Sequence, residues 1–236
     1  ETLARPDIPL GWHIGFFGTY EPELREILRT VLPAGGVAVD VGANIGWHTV
    51  LMAHLVGERG RVLAAEPNPS VRRCLEENLR INRFHHVHVI PHALSDMDGT
   101  VEFHGPAAED PGSGNGYVVT GSGDSKATTI RVETRCLDAL LASEPVKRLD
   151  VVKIDVEGFE LPVLRGAEQS IARFRPHVVF EFNMEYAHRG GGTPQLLDKF
   201  FDRHSYRLFA IRRNWTEAVK PGRWPDCADI WAIPAE

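Results

Sequence analysis

The tightest constraint on the fold is a short apolar stretch, Val37 to Val41, that runs straight into Gly42-Ala43-Asn44-Ile45-Gly46 and then into helix-like spacing as far as Val56. A buried strand turning through glycines into a helix is the opening unit of a parallel sheet, because parallel neighbours need a long crossover between them. The unit then repeats. Arg61 to Glu66 reads as a second strand, Asn68-Pro69-Ser70 as a helix start, and Val71, Cys74, Leu75, Asn78 and Leu79 as one helix face. With His85 to Leu94 as a third strand, the β-α-β-α-β order predicts a parallel sheet covered by helices on both faces. Upstream, Leu24, Ile27, Leu28 and Val31 form a helical stripe within Glu21 to Leu32, and Pro22 suits its first turn.

After the third strand the regularity breaks. Asp96-Met97-Asp98-Gly99 resembles a turn, flanked by strands at Val101 to Phe103 and Thr129 to Thr134. Glu109 to Ser125 is rich in Gly, Ser, Asp and Asn, and a loop of that length is usually mobile or a substrate lid, so 104–128 is expected to be one or the other. Alternation returns with a helix at Leu137 to Ala142, a strand at Asp150 to Ile154, a helix at Leu161 to Ile171 and a strand at Val178 to Phe182. Tyr206 to Ile211 and Asp229 to Ile233 make two last strands, joined by a loop that holds Trp215 and Trp224. No repeat or linker divides the chain, so residues 1–236 are expected to form one domain, with 1–32 as an arm and helix.

Charge and cysteine usage narrow the setting. A net charge of −6 argues against a broad nucleic-acid footprint, although Arg203, Arg207, Arg212 and Arg213 lie close together. The cysteines, Cys74, Cys136 and Cys227, are odd in number and show no metal-binding spacing, which fits a reducing compartment. No apolar run approaches the ~20 residues of a membrane span, and Glu1 to Leu10 carries charges and prolines where a secretory leader would be apolar. The expectation is a cytoplasmic protein with no membrane and no nucleic-acid partner. Its oligomeric state is not legible.

The chemistry is carried by two acidic turns. Asp40 stands just before the glycines and Glu66 at the end of the next strand, where a carboxylate can accept hydrogen bonds from two ribose hydroxyls. The spacing Gly42-x-x-x-Gly46, with Asn44 inside it, is not the G-x-G-x-x-G of a dinucleotide site. It suits a ligand with an amino-acid tail. In S-adenosylmethionine, Asp40 would attract the ammonium while loop N–H groups hold the carboxylate; a plain strand-to-helix turn is the competing reading. The second turn is Lys153-Ile154-Asp155-Val156-Glu157-Gly158-Phe159-Glu160. Ligands of open parallel sheets sit beyond the carboxyl ends of the strands, so Asp155 and Glu157 should face the same crevice. Stabilisation of a helix start explains Glu160 well and Asp155 poorly.

Taken in order, Tyr20-Glu21-Pro22-Glu23, Asp40 to Gly46, Glu66-Pro67-Asn68, Ala93-Leu94-Ser95-Asp96, Leu137-Asp138 and Lys153 to Gly158 resemble the FkbM-type family of S-adenosylmethionine-dependent methyltransferases. The resemblance covers Gly18 to Phe182. It implies an α/β, Rossmann-like class I methyltransferase fold, with a seven-stranded, mostly parallel sheet whose last strand is antiparallel and helices on both faces. It also implies methylation of a hydroxyl on a small metabolite or saccharide, with S-adenosylhomocysteine as product. Carried over by position, Asp40, Gly42 and Asn44 line the methionine part, with Gly46 closing the turn. Glu66 binds the ribose, Asn68 lies beside it, and Ser95 approaches the adenine. Asp155 lies near the methionine or the reacting methyl, and Glu21 closes over the cofactor or simply caps a helix.

Methyl transfer to an alcohol is an in-line displacement that also needs a proton acceptor. The candidates are Glu157, Glu181 and His48, with His188 further along and His177 structural. Glu181, in the apolar run Val178 to Phe182, needs either the crevice or a buried base as neighbour. Asp155, Glu181 and Asn183 could hold Mg²⁺ but read better as hydrogen-bonding residues, so no metal is expected. The aromatic residues Trp12, Phe16, Phe17, Trp215 and Trp224 are candidate apolar or sugar-stacking walls, although most aromatic residues belong to a core. Absence of an Asn-Pro-Pro-aromatic motif after the fourth strand argues against methylation at nitrogen. The alternatives are an NAD-dependent oxidoreductase and a non-catalytic nucleoside-binding protein on the same fold.

Overall fold

The computed structural model describes residues 20–105, 116–119, 129–143 and 146–235. The arm up to residue 19, with Trp12, Phe16 and Phe17, and most of the 104–128 loop lie outside the described residues. The first helix, α1 (Pro22–Val31), buries Leu24, Ile27 and Leu28. It leads to β1 (Val37–Val41), α2 (Trp47–Val56), β2 (Arg61–Ala65), α3 (Pro69–Asn82) and β3 (Val87–Ile90). Every residue of β1 is buried, as a central parallel strand with both faces covered requires.

The expected third strand, His85 to Leu94, is two strands. Pro91 has no N–H to give to the ladder, so β3 stops at Ile90, and β4 (Ala93–Leu94) joins a second sheet with β5 (Gly99–His104), β6 (Tyr117–Val118) and β7 (Thr129–Arg135). That sheet has the order β4-β7-β5-β6. Within the stretch expected to be loop, β6 pairs antiparallel with β5.

Past α4 (Leu137–Ser143) and β8 (Val151–Ile154), the single helix expected over Leu161 to Ile171 is instead α5 (Glu160–Gly166) and α6 (Glu168–Phe174), which meet at Ala167. Gly166 packs so closely on the Ser95 carbonyl that an added Cβ would stand 1.9 Å from its oxygen. Asp138 accepts hydrogen bonds from the Gln169 and Ser170 N–H groups, satisfying the free donors at the start of α6. This family-motif residue is therefore a helix cap. Then come β9 (His177–Asn183), α7 (Pro194–Arg203), β10 (Tyr206–Arg212), β11 (Trp215–Ala218) and β12 (Cys227–Pro234). Thr193 caps α7 by accepting from the Leu196 N–H.

The main sheet runs β11-β10-β12-β9-β8-β1-β2-β3. From β3 to β9 all pairs are parallel, and β12 lies antiparallel between β9 and β10. Seven of its strands match the expected arrangement, including the antiparallel last strand. The eighth, β11, is a correction: the Trp215 segment, expected to be loop, hairpins onto β10. All four of its residues are exposed, so it carries no apolar alternation to announce it.

Alternation along the parallel strands sorts the core onto two faces. Ala38, Val62, Val151 and Val179 pack with α1 and α2 through Leu24, Leu28, Met52 and Ala53. Val39, Leu63, Val152 and Phe180 pack on the other face, against Leu137, Leu164, Ile171 and Phe201. Asp40 shares the face of Ala38, so its carboxylate points towards α2. Among the described residues no helix is long and apolar enough to cross a membrane.

Candidate active site

The carboxyl ends of β1, β2 and β8, the first turns of α1 and α2, and the small sheet enclose a cleft of about 350 Å³. The glycine turn is fixed by close backbone contact. Gly42 has φ +76°, and an added Cβ would stand 1.9 Å from the Asp155 carbonyl oxygen, so this turn and the β8 end fit only with glycine there. Asn44 is also left-handed at φ 51°, and its side-chain oxygen accepts from the Ile45 N–H at 2.8 Å. From α3, the buried Asn78 donates to the Ile45 carbonyl at 2.8 Å.

Glu66 spans two turns. One oxygen accepts from the Asn44 N–H at 3.0 Å and the other from the Asn68 N–H at 2.8 Å. Burial raises its carboxyl to about 7, against the pull of those N–H groups. Asn68 caps α3 by accepting from the Ser70 N–H at 2.9 Å, and Arg72 ties down the Glu66 and Pro67 carbonyls at 3.0 Å each. Beyond Glu66 the wall turns apolar, with Val71, Leu94, Phe103 and Val118.

The opposite end is acidic. Asp229 of β12 stands directly across from Glu181 of β9, and Asp155 follows the last β8–β9 pair, Ile154 with Phe180, which places it next to Glu181. Glu157 completes the group at a left-handed φ of 54°. The buried Lys153 reaches Asp155 at 3.1 Å and Asp40 at 3.6 Å. Burial alone would lower its pKa, but Asp155, Asp40 and Glu21 outweigh that and hold it above the ordinary lysine value. Burial pushes Glu181 up to about 8, helped by Asp155 and Glu157, and Asp229 up to about 7, helped by Glu21 and Asp155.

Above this floor sits the start of α1, docked where the Trp47 indole donates to the Tyr20 carbonyl at 3.1 Å. Glu21 makes no side-chain cap on α1; its carboxylate enters the cleft, 3.4 Å from His48 Nε2, with its pKa raised by burial and then by Asp155. His48 is 5% exposed, its Nε2 makes no hydrogen bond among the described residues despite the nearby Glu21 oxygen, and burial pushes its pKa well below the ordinary value. The imidazole is therefore neutral.

Nine residues expected at the site line this cleft: Glu21, Gly42, Asn44, His48, Glu66, Asn68, Asp155, Glu157 and Glu181. Three do not. Asp40 lies fully buried beneath the wall, accepting from the Thr49 hydroxyl at 2.6 Å and facing Lys153. Gly46 stands behind it at the start of α2, and Ser95 turns to Asp96 while Ala93 and Leu94 supply the lining. Sequence reasoning gave no role to Lys153 and passed over Asp229, because a lone aspartate at a strand start looks like a polar edge until the β9–β12 register is known. Oxygens of Asp155, Glu157 and Glu181 come within 4.8 Å of one another. Crowded carboxylates do so without a metal, and Asn183 spends its side-chain oxygen on the Glu185 N–H.

Residues 40–208 match the Methyltransferase FkbM domain, well over half of the chain. The chain belongs to the FkbM methyltransferase family. Its relatives include the AMB antimetabolite synthetase AmbE of Pseudomonas aeruginosa, 28% identical across 91% of this chain and 12% of that protein. The hexuronic acid methyltransferase AglP of Haloferax volcanii is 35% identical across 62% of this chain and 57% of its own length. The structure of Methyltransferase FkbM from Methylobacillus flagellatus KT superposes with a TM-score of 0.54 at 17% identity, covering 89% of this chain and 50% of that one. The chain thus spans less than two thirds of each of these proteins.

The cofactor of this FkbM methyltransferase is S-adenosylmethionine, and the cleft suits it chemically. Its ligand is a cation with a ribose and a flat base. The cleft offers acidic side chains at one end, a fixed carboxylate in the middle and an apolar wall at the other. The buried His48 Nε2, which makes no hydrogen bond among the described residues, also calls for a ligand at that place.

Proposed function

We propose that this FkbM methyltransferase methylates a hydroxyl of a small metabolite or saccharide, with Glu66 holding the ribose and the acidic end of the cleft receiving the acceptor. The observation that carries the reading is the convergence of Asp155, Glu157 and Glu181 at one end of the cleft whose middle holds Glu66. An alcohol must lose its proton as the bond to the methyl forms, and a carboxylate with a raised pKa is matched to that task. Glu181 is the preferred base, with Glu157 beside it; His48, neutral and next to Glu21, stands at the cofactor side. Bound S-adenosylmethionine supplies the electrophilic methyl. The likeness to a hexuronic acid methyltransferase supports a saccharide acceptor, and a sugar acid offers only oxygen nucleophiles.

The test is incubation of the protein with S-adenosylmethionine and a panel of sugars, uronic acids and sugar nucleotides, with mass spectrometry of products. The expected product gains one methyl that survives mild alkali, as an ether does and an ester does not. Glu181→Gln is expected to slow turnover about 100-fold or more while the cofactor still binds. Cofactor binding without turnover of any acceptor class would favour the non-catalytic alternative, and an unimpaired Glu181→Gln would move the base to Glu157 or His48.

A further inference from the structure

We propose that Glu181 and Asp229 form one shared proton site governed by the charge in the cofactor pocket. The pair holds a proton in the free enzyme, gives it up when cationic S-adenosylmethionine binds, and takes the acceptor's hydroxyl proton as the methyl moves. The proposal rests on the O-methyl-transfer reading and adds Asp229 to the catalytic residues.

The geometry is the starting point. Glu181 and Asp229 face each other directly across the antiparallel β9–β12 ladder, and both line the cleft. Like charges in that position repel, so two carboxylates there share a proton unless a base separates them. None does. Neither side chain forms an ion pair or hydrogen bond with a base among the described residues. Among the described residues the cleft has one lysine, Lys153, which is engaged by Asp155 and Asp40 and acts on Asp229 through its charge, opposing the acidic groups without pairing with it.

The surroundings add negative charge from almost every side. Glu21, just before α1, and Glu23 in its first turn act on the pair, as do Asp155 and Glu157 from the end of β8 and Glu160 from α5. Tyr20 keeps its proton, its pKa raised by burial and then by Glu21, and the Cys227 thiol on β12 is likewise pushed up by burial and then by Glu181. From α2, His48 lines the cleft and is neutral, whereas His54 is not part of the lining; the buried His48 Nε2, which makes no hydrogen bond among the described residues, is the independent sign of a ligand there. Burial and this field hold Glu181 up at about 8 and Asp229 at about 7, so the free enzyme keeps a proton on the pair at neutral pH.

A single positive charge ~5 Å away, at an effective dielectric of about 20, lowers such a carboxylate by roughly two pH units. The pair then ionises and is ready to act as a base. During transfer the acceptor oxygen forms the new bond to carbon with its lone pair, and the methyl–sulfur bond breaks with its electron pair going to sulfur. The hydroxyl proton passes to Glu181–Asp229. The positive charge is now gone from the pocket, so the pair keeps that proton until exchange of the neutral S-adenosylhomocysteine for new cofactor expels it to water. One proton leaves per methyl transferred.

Calorimetric titration at pH 7, with chelator, in buffers of different ionisation enthalpy counts the protons released on binding. About half to one proton is expected to leave with S-adenosylmethionine, from the pKa lowering argued above, and little or none with S-adenosylhomocysteine. Asp229→Asn and Glu181→Gln should each remove most of that release, and Asp229→Glu should restore it. Equal proton counts for the two ligands in the unmodified protein would overturn the proposal while leaving the methyltransferase reading intact. Failure of S-adenosylmethionine to bind would overturn both. Undiminished release in both variants would place the proton elsewhere and refute the assignment.

Discussion

Replacing Glu66 with alanine is expected to weaken binding of both S-adenosylmethionine and S-adenosylhomocysteine by about 100-fold or more. In the proposed role Glu66, ionised above its pKa of about 7, accepts two hydrogen bonds from the ribose hydroxyls worth about 1.5–3 kcal/mol each, and alanine removes both. The loss should be shared by the two ligands, because their adenosine is the same. Glu66 also accepts from the Asn44 and Asn68 N–H groups, at 3.0 and 2.8 Å, so alanine leaves two donors unsatisfied and costs some stability as well. Glu66→Gln separates these effects. It keeps the volume and one acceptor oxygen, and should bind with an affinity between that of the parent and the alanine variant. Titration beside a denaturation curve for each variant makes the comparison. Unchanged affinity in a folded Glu66→Ala protein would reduce Glu66 to an organiser of the glycine turn.

Gly42→Ala is expected to cost on the order of 4 kcal/mol of stability and to abolish cofactor binding. A left-handed alanine alone costs about 1–2 kcal/mol. Here the new Cβ would also stand 1.9 Å from the Asp155 carbonyl oxygen, a backbone atom that moves only if β1 and β8 part. Gly35 provides the control: its φ is +77°, close to the +76° of Gly42, but an added Cβ meets nothing within 4 Å. Gly35→Ala should therefore show the conformational cost alone, about 1–2 kcal/mol. Equal losses of stability in the two variants would mean that the contact between the glycine turn and Asp155 does not hold the site together.

The parallel half of the main sheet was legible because its signals are local. Apolar runs at β1, β2 and β8 are each followed by a turn with its own chemistry, such as Asn68 capping α3. Some of what was missed depends on partners distant in sequence, and some had local signals that went unread. Exposed β11 has meaning only through its pairing with β10, and Pro91 ends β3 where an apolar pattern seemed to continue. Helix α7 has no counterpart among the sequence-based expectations, although Thr193 and Pro194 mark its start and Leu197, Phe200 and Phe201 its buried stripe. At the site, the motif identified which residues converge but not where each points. Asp40 alternates onto the face of α2 and ends beneath the cleft beside Lys153, whereas Glu21 turns from the helix it precedes into the cleft. Asp229 came to light only through the register that sets it against Glu181.

Titration of the purified protein with S-adenosylmethionine, S-adenosylhomocysteine and NAD shows which nucleoside ligand the cleft accepts. Saturable binding of the first two, in mutual competition at one site per chain, and no binding of NAD are expected. Saturable binding of NAD without binding of S-adenosylmethionine would contradict S-adenosylmethionine as the cofactor.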